Sequence, residues 1–260
     1  MVRGNQGGLP RLGGGWVLRR ALDNYPGAQA RRGAALDDAA KRVLDGVLAG
    51  GLLVLLAPLV VVLAIAIKVD SSGPVLYRCR RIGLRGREFA MLKLRKMWDG
   101  AAGPALTAAN DERFTRVGRF LARTKLDEIP QLWNVLKGDM SLVGPRPEDP
   151  AFVDSHRNEF APVLEVRPGI TGLSQLAFAR ESEILDADDR IGHYEQRILP
   201  QKLRIDAMYA DRRSVWVDLD ILRWTAAAVL LRREVAVNRA TGKLSLRRRP
   251  NTTPSPVVAE

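Results

Sequence analysis

From Gly46 to Ile67 the chain reads "GVLAGGLLVLLAPLVVVLAIAI", 22 consecutive positions without a charged or strongly polar side chain. As one straight helix this stretch measures about 33 Å, enough to cross a bilayer. A soluble core helix is rarely apolar on every side, so the run points to membrane insertion. Pro58 lies near its middle. A proline removes a backbone donor and collides with the preceding turn, so it kinks or breaks the helix there. Each half is then too short to cross alone, and the chain could enter, turn at Ala57-Pro58 and leave on the same side. Both flanks are basic: Arg31, Arg32, Lys41 and Arg42 precede the run, and Lys68, Arg78, Arg80 and Arg81 follow it. Positive charge marks the cytoplasmic side of a membrane segment. A kinked helix crossing once is the competing reading, because proline is tolerated in membrane helices. On these grounds alone both topologies stay open.

The net charge is +12, from 41 Lys and Arg against 29 Asp and Glu. Such an excess calls for an anionic partner: a membrane surface, phosphorylated substrates or nucleic acid. Aromatic residues make up only 6%, which argues against a surface that stacks bases. The single cysteine, Cys79, excludes an internal disulfide and a multi-cysteine metal site. Residues 1–38 read as a disordered basic arm, 39–69 as the membrane segment, 70–235 as a catalytic domain and 236–260 as a disordered tail.

Within that domain the pattern is mixed, mostly helical, with little sheet. "PVLYRCRRIG" and "EFAMLKLRKM" alternate in part and flank the turn "LRGR", which predicts a hairpin. "DERFTRVGRFLART" predicts an amphipathic helix with Phe114, Val117, Phe120 and Leu121 on one face. A helix follows from about Ile129 to Lys137, stopped by Gly138. The three prolines of "GPRPEDP" forbid a helix there. Residues 188–233 read as helical with interruptions at Pro200 and near Ser214. The last piece, "LDILRWTAAAVLLRRE", is either a core helix or an amphipathic interfacial one with Trp216 and Trp224 at headgroup level.

"RTKLDEIPQLWNVLKGDM" sets Asp127 beside Glu128 just ahead of a helix. Acids at a helix start commonly cap free backbone N–H groups, and Pro130 fits the first turn of such a helix. A catalytic reading competes with the cap. Arg146, held between Pro145 and Pro147, presents a fixed guanidinium suited to phosphate, and "RPGITG" repeats the theme with Arg167 ahead of two glycines. Basic loops with acids able to hold Mg²⁺ suggest a diphosphate substrate, and the membrane segment suggests a lipid co-substrate.

The ordered series "KRVLD", "SSGPVLYRCRRIGLRGREFAMLKLRKM", "RFTRVGRFLARTKLDEIPQLWNVLKGDMSLVGPRP", "RPGITGLSQ" and "ILPQKLRIDAMYADRRSVWVDLDILRWT" resembles the bacterial sugar transferases, monotopic phosphoglycosyl transferases that start glycan assembly on polyprenyl phosphate. The likeness runs from about Lys41 to Thr225. It implies an α+β fold, mostly helical with a short β-hairpin, amphipathic interfacial helices and one re-entrant membrane helix broken at Pro58, in the compact form of the family. The implied reaction has two steps. The aspartate of the dyad attacks the sugar-linked phosphorus of a UDP-sugar and UMP leaves. Polyprenyl (undecaprenyl) phosphate then takes the phosphosugar.

Carried over, Asp127 is the nucleophile and the Mg²⁺ ligand, and Glu128 is its acid/base or metal-side partner. Arg146, Arg167, Thr171, Lys93 and Arg95 are candidate phosphate-binding residues, and Lys41, Arg42 and Pro58 are candidate membrane-anchoring residues, the two cations meeting lipid phosphates. The resemblance also implies an inner-membrane location facing the cytoplasm, a lipid bilayer but no nucleic acid as partner, and self-association and downstream glycosyltransferases as further partners. A non-catalytic membrane scaffold and a tethered nucleic-acid binder are the alternatives from other classes. The chain departs from the family pattern at Ala57, where Ser is usual, at Cys79 for Gln, at Lys96 for Thr and at Lys125 for Ser.

Overall fold

The computed structural model describes residues 34–103, 106–107, 111–179, 189–231, 233–238 and 241–246. The basic arm expected up to residue 38 lies outside these as far as residue 33. Helix α1, Ala34–Asp70, carries Pro58 inside it. The expected break at Pro58 is therefore not a break in the helix. Proline deletes a single N–H, and the neighbouring turns keep their own hydrogen bonds. This helix is long and apolar enough to cross a membrane. Much of its middle is exposed, with Val54 77% accessible and Val61 and Ile65 more than half so.

Strands β1 (Leu76–Ile82) and β2 (Glu88–Leu94) form an antiparallel hairpin in the register Tyr77↔Lys93, closed by a short 3₁₀ turn at Leu84–Gly86. Helix α2 (Arg116–Thr124) is capped by Thr115, whose hydroxyl accepts from the Gly118 N–H. Leu121 is buried, but Phe120 is exposed, so the apolar face is narrower than its sequence pattern suggests. A 3₁₀ turn at Leu126–Glu128 leads into α3 (Gln131–Lys137), which ends at Gly138 in the left-handed conformation. β3 (Ser141–Val143) pairs in parallel with β4 (Gly169–Thr171), and the short helices α4 (Pro150–Ser155) and α5 (Arg157–Phe160) fill the crossover. The chain continues through α6 (Leu173–Ala177) and α7 (Arg190–His193), then a π-helical turn at Tyr194–Ile198. It follows with α8 (Leu199–Arg212), which has Pro200 in its first turn, and α9 (Val215–Leu230), capped by Ser214. The interruption near Ser214 falls where the sequence placed it, whereas at Pro200 the chain stays helical and only changes from π to α winding just ahead of it.

The tail differs from expectation. Strands β5 (Val235–Val237) and β6 (Leu244–Leu246) form an antiparallel hairpin within the segment expected to be disordered, and its inner side chains pack against the core. The remainder of that segment, 247–260, lies outside the described residues. α9 combines both readings of its sequence: Asp218 and Ile221 are buried, whereas Trp216 is 80% exposed and Val229 and Leu230 face outward.

Both ends of α1 are tied to one domain. Near its start, the Asp45 carboxylate accepts from the Leu142 N–H at 3.1 Å. Arg42 donates to the carbonyls of Val135 and Leu136 at 2.6 and 2.7 Å, capping the C-terminal end of α3, where the helix dipole favours a cation. At its end, the Asp70 carboxylate accepts from the Val117 N–H at 2.9 Å. Ala49 from the first half and Leu63 and Ile67 from the second are buried in the same apolar core as Met91, Leu94, Leu121 and Val135.

The free edge of β2 is closed by one side chain. Asn134 accepts from the Leu92 N–H at 3.0 Å and donates to the Ala90 carbonyl at 2.8 Å, so α3 is bolted to the strand that carries Lys93. Asn134→Leu leaves both part-buried backbone groups without this partner. It is expected to cost about 1–2 kcal/mol of stability, read as a lowered midpoint in thermal or urea unfolding of the detergent-solubilised protein.

Candidate active site

Asp127 sits in the 3₁₀ turn between α2 and α3. Lys125 just before it adopts a left-handed conformation, φ 60°, which is uncommon for a side chain with a Cβ and turns the chain sharply at the end of α2. That turn directs Asp127 inward, where it is only 1% exposed. Neither acid caps α3: that helix starts behind Pro130 without any side-chain cap, and Asp127 Oδ2 is buried with no hydrogen-bond partner. A buried carboxylate oxygen left bare is costly in a purely structural role.

Three cations converge on the dyad. Lys93 Nζ lies 3.1 Å and Arg146 Nη2 lies 3.2 Å from the same Glu128 oxygen, Oε1. Lys96 Nζ lies 3.5 Å from Asp127 Oδ2. Lys93 comes from β2, Lys96 from just beyond it, and Arg146 from the Pro145–Pro147 strap. The strap is hung on β4 by the Gly169 N–H, which donates to the Pro145 carbonyl at 2.8 Å. Gly169 and Gly144 approach so closely that a Cβ on Gly169 would overlap the Gly144 backbone.

Burial pushes the Glu128 carboxyl upward, but the charges of Lys93 and Arg146, the Lys93 hydrogen bond and Lys125 outweigh it and hold the group well below the usual carboxylate range. Glu128 is thus held ionised against two cations. Its geometry assigns it to holding Lys93 and Arg146 in place. Burial pulls the Lys96 ammonium below its usual value, opposed by the charge of Asp127.

The other sequence candidates are committed elsewhere. Arg95 donates to the carbonyls of Ser71 and Ser72 and to the Ser71 hydroxyl, pinning the end of α1 to β2. Arg167 donates through Nε to the Gly138 carbonyl at 3.2 Å, behind α3. The Thr171 hydroxyl bonds that of Thr225 at 2.7 Å, joining β4 to α9. Lys41 and Arg42 do not point to lipid headgroups. Lys41 pairs with Asp218 and donates to the Val143 carbonyl at 3.1 Å, while Arg42 caps α3. Both are basic groups satisfied by protein acceptors within the fold. Lys96 is the site residue that the sequence reading passed over; its only signal was its place among the departures from the family pattern.

The donor set admits a Mg²⁺ ion in one form. Among the described residues no three His, Cys, Asp or Glu side chains cluster as a cage. Oδ2 of Asp127, which accepts no hydrogen bond, fits a single carboxylate contact to an ion whose other ligands are phosphate oxygens and water, the usual arrangement for Mg²⁺ at nucleotide sites.

A buried carboxylate pair ringed by cations, on a domain clamped to an apolar helix, is a site suited to phosphorylated groups. The chain belongs to the bacterial sugar transferase family, which it matches over residues 36–232. It is 42% identical over 198 residues to the UDP-glucose:undecaprenyl-phosphate glucose-1-phosphate transferase of Caulobacter vibrioides, covering 74% of this chain and 70% of that protein. It is 39% identical to the Xanthomonas campestris protein of the same name, covering 74% of this chain and 39% of the relative. It is 37% identical to the UDP-N-acetylgalactosamine-undecaprenyl-phosphate N-acetylgalactosaminephosphotransferase of Aeromonas hydrophila, covering 73% of this chain and 43% of the relative. The chain thus spans well under half the length of the last two.

Because the Glu128 carboxyl lies below its unfolded value, near 4.5, its contribution to stability is complete above that pH and is lost as pH falls toward the lower folded value. Wild type and Glu128→Gln should therefore differ most in melting temperature at pH 6–7. The gap should narrow steadily on acidification below about pH 4.5, as followed by thermal unfolding across pH.

Proposed function

We propose that this protein transfers a phosphosugar from a UDP-sugar to polyprenyl (undecaprenyl) phosphate and releases UMP, the first membrane step of exopolysaccharide, capsule, O-antigen or glycoprotein glycan assembly. The observation that carries this reading is the buried Asp127 carboxylate, whose Oδ2 accepts no hydrogen bond and is ion-paired to Lys96 at 3.5 Å, in a ring completed by Lys93 and Arg146. The names of the relatives support the same donor and acceptor classes.

In the first step an Asp127 oxygen forms a bond to the sugar-linked phosphorus while the bond from that phosphorus to the bridging oxygen breaks. UMP departs with that oxygen and its electron pair. In the second step a phosphate oxygen of the lipid attacks the same phosphorus and Asp127 leaves as a carboxylate, giving the polyprenyl diphosphate sugar. Neither step requires a proton from Glu128. A carboxylate approaching a diphosphate meets like-charge repulsion, and the ammonium and guanidinium groups of the ring lower that barrier by lying fixed where negative charge gathers. When bound, Mg²⁺ would supply further charge neutralisation to the diphosphate, held on the protein side by Asp127. Arg146 reaches the donor from the strap, and Lys93 from the strand. Splitting the transfer lets one site use two anionic substrates in turn.

We also read α1 as re-entrant, with the catalytic domain on the cytoplasmic face of the inner membrane. Support comes from the attachment of both helix ends to one domain and from Pro58 at mid-helix. In a Cys79→Ser background, Val43→Cys and Val69→Cys should both react with an impermeant thiol reagent only from the cytoplasmic side. Labelling of one of them from the outside would establish a spanning helix instead.

Asp127→Asn should lower UMP release from UDP-sugars by on the order of a thousandfold or more, with the melting temperature little changed. Retention of full activity by that variant would remove Asp127 from the chemistry. A panel of UDP-glucose, UDP-galactose and UDP-N-acetylhexosamines with undecaprenyl phosphate identifies the sugar.

A further inference from the structure

Lys96 stands against the one acid that the mechanism needs bare. Its Nζ is 3.5 Å from Asp127 Oδ2, the oxygen with no hydrogen-bond donor. The other two cations of the ring are spent on Glu128, both through Oε1. The ion pair to Asp127 Oδ2 is made by Lys96.

The root of this lysine is fixed. The Thr115 N–H donates to the Lys96 carbonyl at 3.2 Å. Helix α2 reaches that carbonyl because residue 118 is glycine; a Cβ there would overlap it. The ammonium also lies 5.6 Å from the centre of the Phe114 ring, which borders one side of it. The charge, in contrast, is a compact ammonium at the end of a flexible stem, with a quarter of the side chain exposed. A group anchored at its backbone, with its charge on such a stem, can stay with a carboxylate or follow an arriving phosphate.

We propose that Lys96 is a resident counter-cation that occupies the metal-facing side of Asp127 in the substrate-free enzyme, so that a divalent cation enters only together with the donor's diphosphate. The inference rests on the reading of Asp127 as the nucleophile and metal-facing carboxylate. The physical ground is charge. A divalent ion approaching a single carboxylate that already has an ammonium 3.5 Å away meets repulsion in a poorly solvated site, and one carboxylate is a weak ligand set for Mg²⁺. The diphosphate changes both conditions. It brings several oxygen ligands, and its negative charge offers Lys96 a second partner. Asp127 would then be released from its ion pair only when the phosphorus it must attack is present.

The test uses the full chain in detergent without donor, with Mn²⁺ as the probe and free Mn²⁺ followed by electron paramagnetic resonance. Wild type should bind Mn²⁺ at this site only weakly, and UDP should raise the affinity. Lys96→Met should increase Mn²⁺ affinity in the absence of UDP by about tenfold or more, an increase that Asp127→Asn added to it should abolish. Lys96→Arg, which keeps the charge, should not show the increase. The inference is overturned if folded Lys96→Met binds Mn²⁺ as wild type does, or if Lys96→Arg gains as much as Lys96→Met. It is equally overturned if wild type binds one Mn²⁺ tightly without UDP, a result that needs no variant to fold. These outcomes leave the transferase reading untouched so long as Asp127→Asn still abolishes UMP release; full activity in Asp127→Asn would instead remove the reading on which the inference rests.

Discussion

One carboxylate oxygen, Glu128 Oε1, holds together three parts of the chain that are distant in sequence. It binds Lys93 from the hairpin and Arg146 from the strap after β3, and it lies next to Asp127 in the turn between α2 and α3. Without it, two cations facing each other across the site would repel, and the strap would lose its tie to the dyad. The interaction is strong for physical reasons: it is charge-assisted, largely buried, and shared by two donors. It also explains the division of labour between adjacent acids. Glu128 holds two cations and serves as a fixed strut, whereas Asp127 keeps an oxygen that accepts no hydrogen bond and is met by the Lys96 charge.

The membrane helix and the site are parts of one construction. Arg42 caps the C-terminal end of α3, and Asn134 from the middle of α3 fastens it to β2. Lys41 reaches Asp218, which also accepts from the Tyr209 hydroxyl at 2.6 Å, and so links α1 to α8 and α9. At the other end, Arg95 and Asp70 bind α1 to β2 and α2. The strand that carries Lys93 and leads into Lys96 is therefore positioned from both ends of the apolar helix. A lipid phosphate taken from the bilayer surface would meet a site whose distance from that surface is set by these contacts.

Much of the fold was legible because its signals are local. The hairpin around "LRGR", the stop at Gly138 and the interruption at Ser214 each follow from a few neighbouring residues. The dyad, Arg146 and Lys93 were legible through the family likeness and are brought together here. What was not legible is the choice of partner. Lys41, Arg42, Arg95 and Thr171 were read as groups seeking lipid or substrate phosphate, since residue type reveals only that an acceptor is required. Whether that acceptor is a ligand, a helix-end carbonyl or a carboxylate 177 positions away depends on tertiary structure. The choice between a continuous and a broken helix at Pro58, left open by the sequence, and the β5–β6 hairpin, which it missed, depend in the same way on packing rather than propensity.

The central claim is that Asp127 carries the phosphosugar between donor and acceptor, and a single-turnover experiment without acceptor tests it most directly. Enzyme mixed rapidly with a UDP-sugar it accepts and Mg²⁺, then quenched in acid, should show a burst of close to one equivalent of UMP. The peptide containing Asp127 should gain the mass of the phosphosugar. UMP release that begins only when polyprenyl phosphate is added, with Asp127 unmodified throughout, would contradict the account and indicate direct transfer within a ternary complex.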